Sequence, residues 1–308
     1  MTSTIPETFD AAAPGLRVRA VGAVPAAIRS QALTLAGQSN AEPVLATVAA
    51  DLRLGIVLES ASSASPLPAW ALENWSVAWD VALDAAVRGS SGPDAAAQRV
   101  ESVIIVESGA FAGLALRDPQ TVRGLVSGTP VIVVPEATTT VIGVAEDPAS
   151  IAWLTAVAAQ IVSTTSVPVS VTPLIAVDEG WERFDWPESE AERAAALQRR
   201  WDATMYEFAR PVVADAVAQA GDPVFVAEAA LMQDDAGDSL LVASVTESNA
   251  TLVPRCDLVV IVPLHGGEPQ RIAFDDLVAS GHLSVEPNTV PPYFRYGHGA
   301  ATAGTPGH

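Results

Sequence analysis

Lysine is absent from this chain: all 16 of its Lys+Arg residues are arginine. That one absence removes several chemistries. No lysine amine can form a Schiff base with pyridoxal phosphate or a sugar, no Walker A lysine can reach a phosphate, and no kinase-type ATP lysine is present. Gly-rich phosphate loops are missing too. Arginine as the only cation, amid abundant Ala, Val, Gly and Pro, is what a GC-rich genome writes. Selection against lysine-directed modification would leave the same trace.

Cations are scarce as well as uniform. Sixteen arginines against 36 acids leave a net charge of −20, and the field of such a molecule repels nucleic acid and anionic membrane surfaces. The adjacent pair Arg199 and Arg200 is surrounded by Glu188, Glu190, Glu192 and Asp202. Neither nucleic acid nor a membrane is therefore expected as a partner.

Cysteine occurs once, at Cys256, which rules out an internal disulfide and a thiolate metal site. It falls in Leu252–Val262, read as one buried strand, where an inert core thiol is expected. The histidines, His265, His282, His298 and His308, all lie near the C-terminus without partners at metal-ligand spacing. Asp234, Asp235, Gly237 and Asp238 have a calcium-loop flavour, but Val245 stands where a closing glutamate belongs. No metal or cofactor is expected. His265-Gly266-Gly267 lacks a Gly-x-Ser-x-Gly elbow upstream and reads as a glycine turn.

An uninterrupted apolar run of membrane-spanning length is also missing. Residues 148–177 carry no charge, yet Ser163-Thr164-Thr165-Ser166, Pro168 and Pro173 break the stretch, which reads as a buried helix followed by a strand. The opening residues are polar and acidic, with no apolar core of a signal peptide, so a reducing cytoplasm is the expected location.

What is present is a core. Hydrophobic residues make up 49% against 17% charged, with mean hydropathy +0.30, enough apolar surface for a folded chain. Residues 1–40 are weakly patterned. Val44–Ala49 and Leu52–Leu58 read as strands, Ser60–Pro68 as a linker, and Ser76 as the N-cap of a helix ending at Gly89. Val103–Val106 is a buried strand, Pro130–Val134 and Thr138–Val144 a hairpin, and Asp147-Pro148 a helix start. Ser189 and Glu192 form a capping box for the longest helix, whose apolar face is Leu197, Trp201, Met205, Phe208 and Val212. Pro211 should kink or divide that helix. Val224–Leu231, Ser239–Thr246 and Leu252–Pro263 follow as strands. Hairpins outnumber strand–helix–strand crossovers, so the predicted class is α+β with mainly antiparallel sheets. Two lobes are expected, residues 41–180 and 187–296, with a disordered tail at 297–308.

Two clusters invite function. Asp178, Glu179, Glu182 and Asp185 surround Trp181 and Trp186, a composition from which a hydrolase would draw one carboxylate as acid and another as base. A turn with solvated acids and inward-folded indoles has the same composition. Trp70, Trp75 and Trp79 flank Pro66 and Pro68 and form either an aromatic surface for a protein partner or a lid on the core.

The segment from Glu73 to Leu83, with its Trp75-Ser76-Val77 opening into a helix, resembles the YtpQ-like bacterial family. The likeness continues through Gly128–Pro135, Asp147-Pro148, Val171–Leu174, Gly180-Trp181 and Phe184, about a third of the chain. Ala137 and Thr138 depart from it, standing where a polar Arg-Asp-like pair is expected. The resemblance implies a soluble bacterial α+β protein and carries no assigned activity. From these readings the expected role is a cytoplasmic accessory protein that acts by protein–protein contact, with another protein or itself. The alternatives are a carboxylate hydrolase at Asp178–Asp185 or a structural subunit of a homo-oligomer.

Overall fold

The computed structural model describes residues 5–60, 63–90, 97–166, 168–234 and 237–297. Helices and mainly antiparallel sheets give an α+β fold, and among the described residues only two strand pairs run parallel. The chain forms two units, Met1–Leu197 and Gln198–His308. The division lies inside a helix rather than at Asp178–Pro187, because the strands up to residue 183 complete a sheet of the first unit. The tail at 298–308 lies outside the described residues.

The described residues before position 40 form regular elements in place of the expected weakly patterned N-terminal segment. After α1 (Phe9–Ala12), β1 (Leu16–Gly22) supplies Leu16 and Val18 to the first core, both fully buried, and α2 (Ala23–Leu35) follows. Its signal was the alternation of Leu16, Val18 and Ala20 with Arg17 and Arg19, a strand period masked by Ala and Gly neighbours. β1 pairs with β3 (Leu52–Glu59), which also pairs with β2 (Leu45–Ala49) and β4 (Ala64–Pro66). The expected linker therefore contains a strand, with Ala61 and Ser62 outside the described residues.

Ser76 is not an N-cap. It ends α3 (Ala69–Trp75) in the left-handed conformation at φ 53°, and α4 (Trp79–Ser90) starts afresh beyond it. Two tryptophan-bearing helices thus replace the one expected.

The second sheet of this unit comprises β5 (Ala97–Val100), β6 (Val103–Glu107), β7 (Pro130–Glu136), β8 (Thr139–Val144), β9 (Leu174–Val177) and β10 (Gly180–Arg183). α5 (Gly109–Arg117) touches β1 and β3 of the first sheet and β6 and β8 of the second, with the short α6 (Gln120–Arg123) after it. α7 (Pro148–Val162) packs on β7 and β8. Ile132 and Val134 join the core shared with α5, while Val131 and Val133 are as deeply buried without belonging to it. A strand covered on both faces must be apolar at every position, which accounts for the unbroken Val131-Ile132-Val133-Val134 run. Asp147 caps α7 by accepting from the Ala149 N–H, with Pro148 at the first position. No described helix is long and apolar enough to cross a membrane.

α8 (Ala191–Ala220) runs through Pro211 without dividing. The Ser189–Glu192 box gives way to a 3₁₀ turn, Glu188–Glu190, in which Glu190 is buried and pairs with Arg193. The buried stripe is Leu197, Trp201, Met205, Tyr206, Ala209 and Val213, and Phe208 is exposed. A period of 3.6 moves the stripe sideways along a helix of 30 residues, so fixed steps of four lose it.

The second unit has two small sheets. One orders β11 (Phe225–Val226), β14 (Thr251–Pro254), β18 (Tyr293–Tyr296) and β17 (Leu283–Val285). The other orders β12 (Ala229–Gln233), β13 (Ser239–Thr246), β15 (Leu258–Val262) and β16 (Gln270–Ala273), with α9 (Phe274–Ala279) after it. Val253 and Tyr296 pack with Ala243, Val245 and Val259 from the other sheet. Tyr293, on the opposite face of β18, meets α8 edge-on at Tyr206, ring centroids 5.2 Å apart.

Candidate functional site

The Asp178–Asp185 carboxylates do not converge. Asp178 and Glu179 are the two-residue turn between β9 and β10, and Glu182 and Asp185 lie on and beyond β10; all four are exposed. Trp181 turns inward, its indole N–H donating to the Ala115 carbonyl at 2.9 Å. Exposed acids on a hairpin form no enclosed pocket of the kind in which a carboxylate pair works on a substrate.

Trp70, Trp75 and Trp79 are half-buried and pack against the core of the first unit. Trp75 lies against Phe9, ring centroids 5.9 Å apart, and its indole N–H donates to the Pro6 carbonyl at 3.0 Å. Trp75 thus ties down the N-terminal segment, and all three indoles are partly covered by the core they pack on.

Sequence reading missed a polar cluster on the second unit. Leu252–Pro263 is two strands of two different sheets, broken at Arg255-Cys256-Asp257. The break lies against α8. Asp257 Oδ2 accepts from Arg199 Nε at 2.9 Å and from the Leu241 N–H at 2.7 Å. Tyr206 accepts from the Arg255 N–H at 2.9 Å and donates to the Pro292 carbonyl at 3.0 Å. Asp202 accepts from Gln198 at 2.9 Å. The charged Arg255-x-Asp257 interruption in an apolar run was the available signal.

Electrostatics at this cluster run against nucleophilic chemistry. Burial pushes the Cys256 thiol up to about 12, so it stays protonated. Burial also raises the Tyr206 and Tyr293 phenols, and it raises the Asp202 carboxyl against the opposing Gln198 hydrogen bond and Arg255 charge. Every shifted group here favours its neutral form. The cluster braces α8 against the strands.

Elsewhere the fully buried Ser170 donates to Asp51 at 2.8 Å, but no histidine occurs in residues 1–197 to act as its base. His265 lies in an exposed turn where Gly266 and Gly267 adopt φ of 82° and 134°. Among the described residues, no group of three His, Cys, Asp or Glu side chains is placed to hold a metal ion.

The remaining candidate is a surface. Of ten large hydrophobic residues exposed among those described, eight belong to the second unit: Phe208, Phe225, Leu231, Met232, Val262, Leu264, Val278 and Val285. Two of them are neighbours on β12, Leu231 at 40% and Met232 at 52% exposure. β12 is the terminal strand of its sheet and, among the described residues, pairs with β13 alone.

The outward backbone groups of β12 follow from the register. Leu241, opposite Leu231, turns its N–H to Asp257 Oδ2 and its carbonyl to the Asp257 N–H at 2.8 Å, away from β12. Leu231 and Leu241 are therefore a non-hydrogen-bonded pair. By alternation, Ala229, Leu231 and Gln233 direct their N–H and C=O groups out of the sheet.

Compared with known proteins, the chain matches no family model, no curated protein and no solved structure.

Proposed function

We propose that this protein is a non-catalytic accessory protein that works by holding another protein, and that the unit from residue 198 onward makes the contact. The observation that carries this reading is the concentration of exposed large hydrophobic residues there, eight of ten among the described residues, in about a third of the chain. Exposed apolar groups gathered on one part of a molecule mark surfaces that another molecule covers. The titratable groups support the same reading, because burial drives Cys256, Tyr206, Tyr293 and Asp202 toward neutral forms and activates no nucleophile. A reducing compartment, the cytoplasm, suits a chain with a single protonated thiol.

Cross-linking of the full chain at native expression, followed by mass spectrometry, tests the reading. A stoichiometric partner cross-linked to residues 198–297 supports it. A protein recovered alone at every expression level, or cross-links confined to the first unit, counts against it.

A further inference from the structure

We propose that β12 is an acceptor edge for an extended peptide segment with alternating apolar side chains and basic ends, which adds as a fifth strand to the β12-β13-β15-β16 sheet. The proposal rests on the binding reading above and names the surface and the chemistry of the partner.

The first support is the contrast with every other sheet edge. Proteins guard edge strands with charges, prolines, bulges or brevity, because unpaired backbone groups otherwise template further pairing. β1 carries Arg17 and Arg19, β5 carries Arg99, β10 carries Glu182 and Arg183, and β16 carries Arg271. The register of β2 shifts between Thr47 and Ala49, and β4 is three residues long with Pro66. β11 is two residues long and β17 three. β12, Ala-Ala-Leu-Met-Gln, has five residues in unbroken register and none of these guards.

The second support is what β12 presents. Three residues direct a donor and an acceptor outward, as a main-chain ladder requires. Leu231 lies on one face of the strand and Ala230 and Met232 on the other, so an added strand meets apolar neighbours on both sides.

Charge selects the occupant. Glu228 precedes β12 and Asp234 and Asp238 follow it, all exposed, on a chain of net charge −20. A peptide with basic ends meets opposite charge at both ends of the strand. A second copy does not: two-fold antiparallel pairing about Leu231 sets Glu228 opposite Asp234 at each end, and like charges across a strand pair repel.

The test is fluorescence anisotropy of the full-length chain with a labelled peptide of alternating valine and threonine carrying an arginine at each end. A second peptide carries glutamate at the ends. The arginine-ended peptide should bind at least about tenfold more tightly, with the preference falling as salt rises. Leu231→Pro deletes an outward N–H at a position where an edge strand tolerates proline, and should weaken binding about tenfold or more. Should that variant fail to fold, Glu228→Arg decides, since it should reverse or abolish the arginine preference with the backbone intact. Equal binding by folded Leu231→Pro, or no preference between the peptides, overturns the proposal. Dimerisation of the wild type in sedimentation at physiological salt, lost in Leu231→Pro, assigns the edge to a second copy and also overturns it. A cross-linked partner at residues 198–297 whose capture ignores both variants leaves the binding reading standing and removes this one. Absence of both partner and peptide binding removes both.

Discussion

Replacing Asp257 by alanine should cost the second unit about 1–4 kcal/mol, and most of that should come from a backbone amide rather than from an ion pair. Asp257 Oδ2 serves two donors, Arg199 Nε at 2.9 Å and the Leu241 N–H at 2.7 Å. Leu241 is 2% exposed, and its N–H faces away from β12. Without the carboxylate that donor is buried and unpaired, at a cost of about 1–3 kcal/mol. The arginine contribution is smaller. The side chains of Arg199 and Asp257 are 31% and 33% exposed, so solvent screens the pair and leaves at most about 1 kcal/mol. Asp257→Asn keeps an oxygen for the amide and should cost about 1 kcal/mol or less, as should Arg199→Ala. Urea unfolding read by fluorescence measures the series. Trp201 is the one tryptophan beyond residue 198, and Trp201→Phe assigns its transition. Equal losses for Asp257→Ala and Arg199→Ala would refute the reasoning, because the ion pair would then carry the effect.

Other parts of the molecule give equally direct expectations. Burial raises the Asp202 carboxyl, so the folded state binds a proton more tightly than the unfolded state, and stability falls as pH rises from the ordinary carboxylate value through the folded one. Asp202→Asn should thus melt higher than wild type at neutral pH, with the gap closing in acid; a gap independent of pH in thermal melts would contradict the assignment. A Cβ at Gly22 would lie 1.8 Å from the Val169 carbonyl oxygen, whereas one at Gly124 meets nothing within 4 Å. Gly22→Ala should destabilise the first unit by about 3 kcal/mol and Gly124→Ala should be neutral or slightly stabilising, so equal melting temperatures for the two would refute the packing argument. Cys256, with its thiol pushed up to about 12, should react slowly with a disulfide reagent at mildly alkaline pH and rapidly in denaturant. A native rate equal to that of a free thiol would show that the buried state is wrong.

Local signals in the sequence specified many elements. Asp147-Pro148 starts α7 as cap chemistry dictates, the β7–β8 hairpin lies where its β-branched runs place it, and β13 has the predicted bounds. The failures share a cause, namely that the deciding partner is distant in sequence. β1 is a core strand because β3 pairs along its length, and the two arginines, one alanine and one glycine among its seven residues dilute the propensity of its valines. The split between β14 and β15 depends on a bond from Asp257 to Leu241 and a bond from the Arg255 N–H to Tyr206, neither of which a local window contains. The surface on β12 was hidden for a related reason. Leu231 and Met232 are ordinary strand residues, and only the sheet order shows that no described strand pairs beyond them.

The absence of lysine bears on that edge. Lysine is the side chain most used to keep sheet edges apart, because its flexible stem lets a hydrated charge cover the unpaired backbone. This chain has only arginine for the task, and arginines stand on β1, β5, β10 and β16. β12 has no such guard, yet self-pairing there is opposed by another means. A net charge of −20 repels every other copy, and Glu228, Asp234 and Asp238 place part of that charge beside the open strand. A lysine on β12 would have repelled basic peptides and attracted acidic ones, other copies of this chain included. Flanking acids do the reverse, so an edge bracketed by them discriminates between strands by charge before any side chain packs.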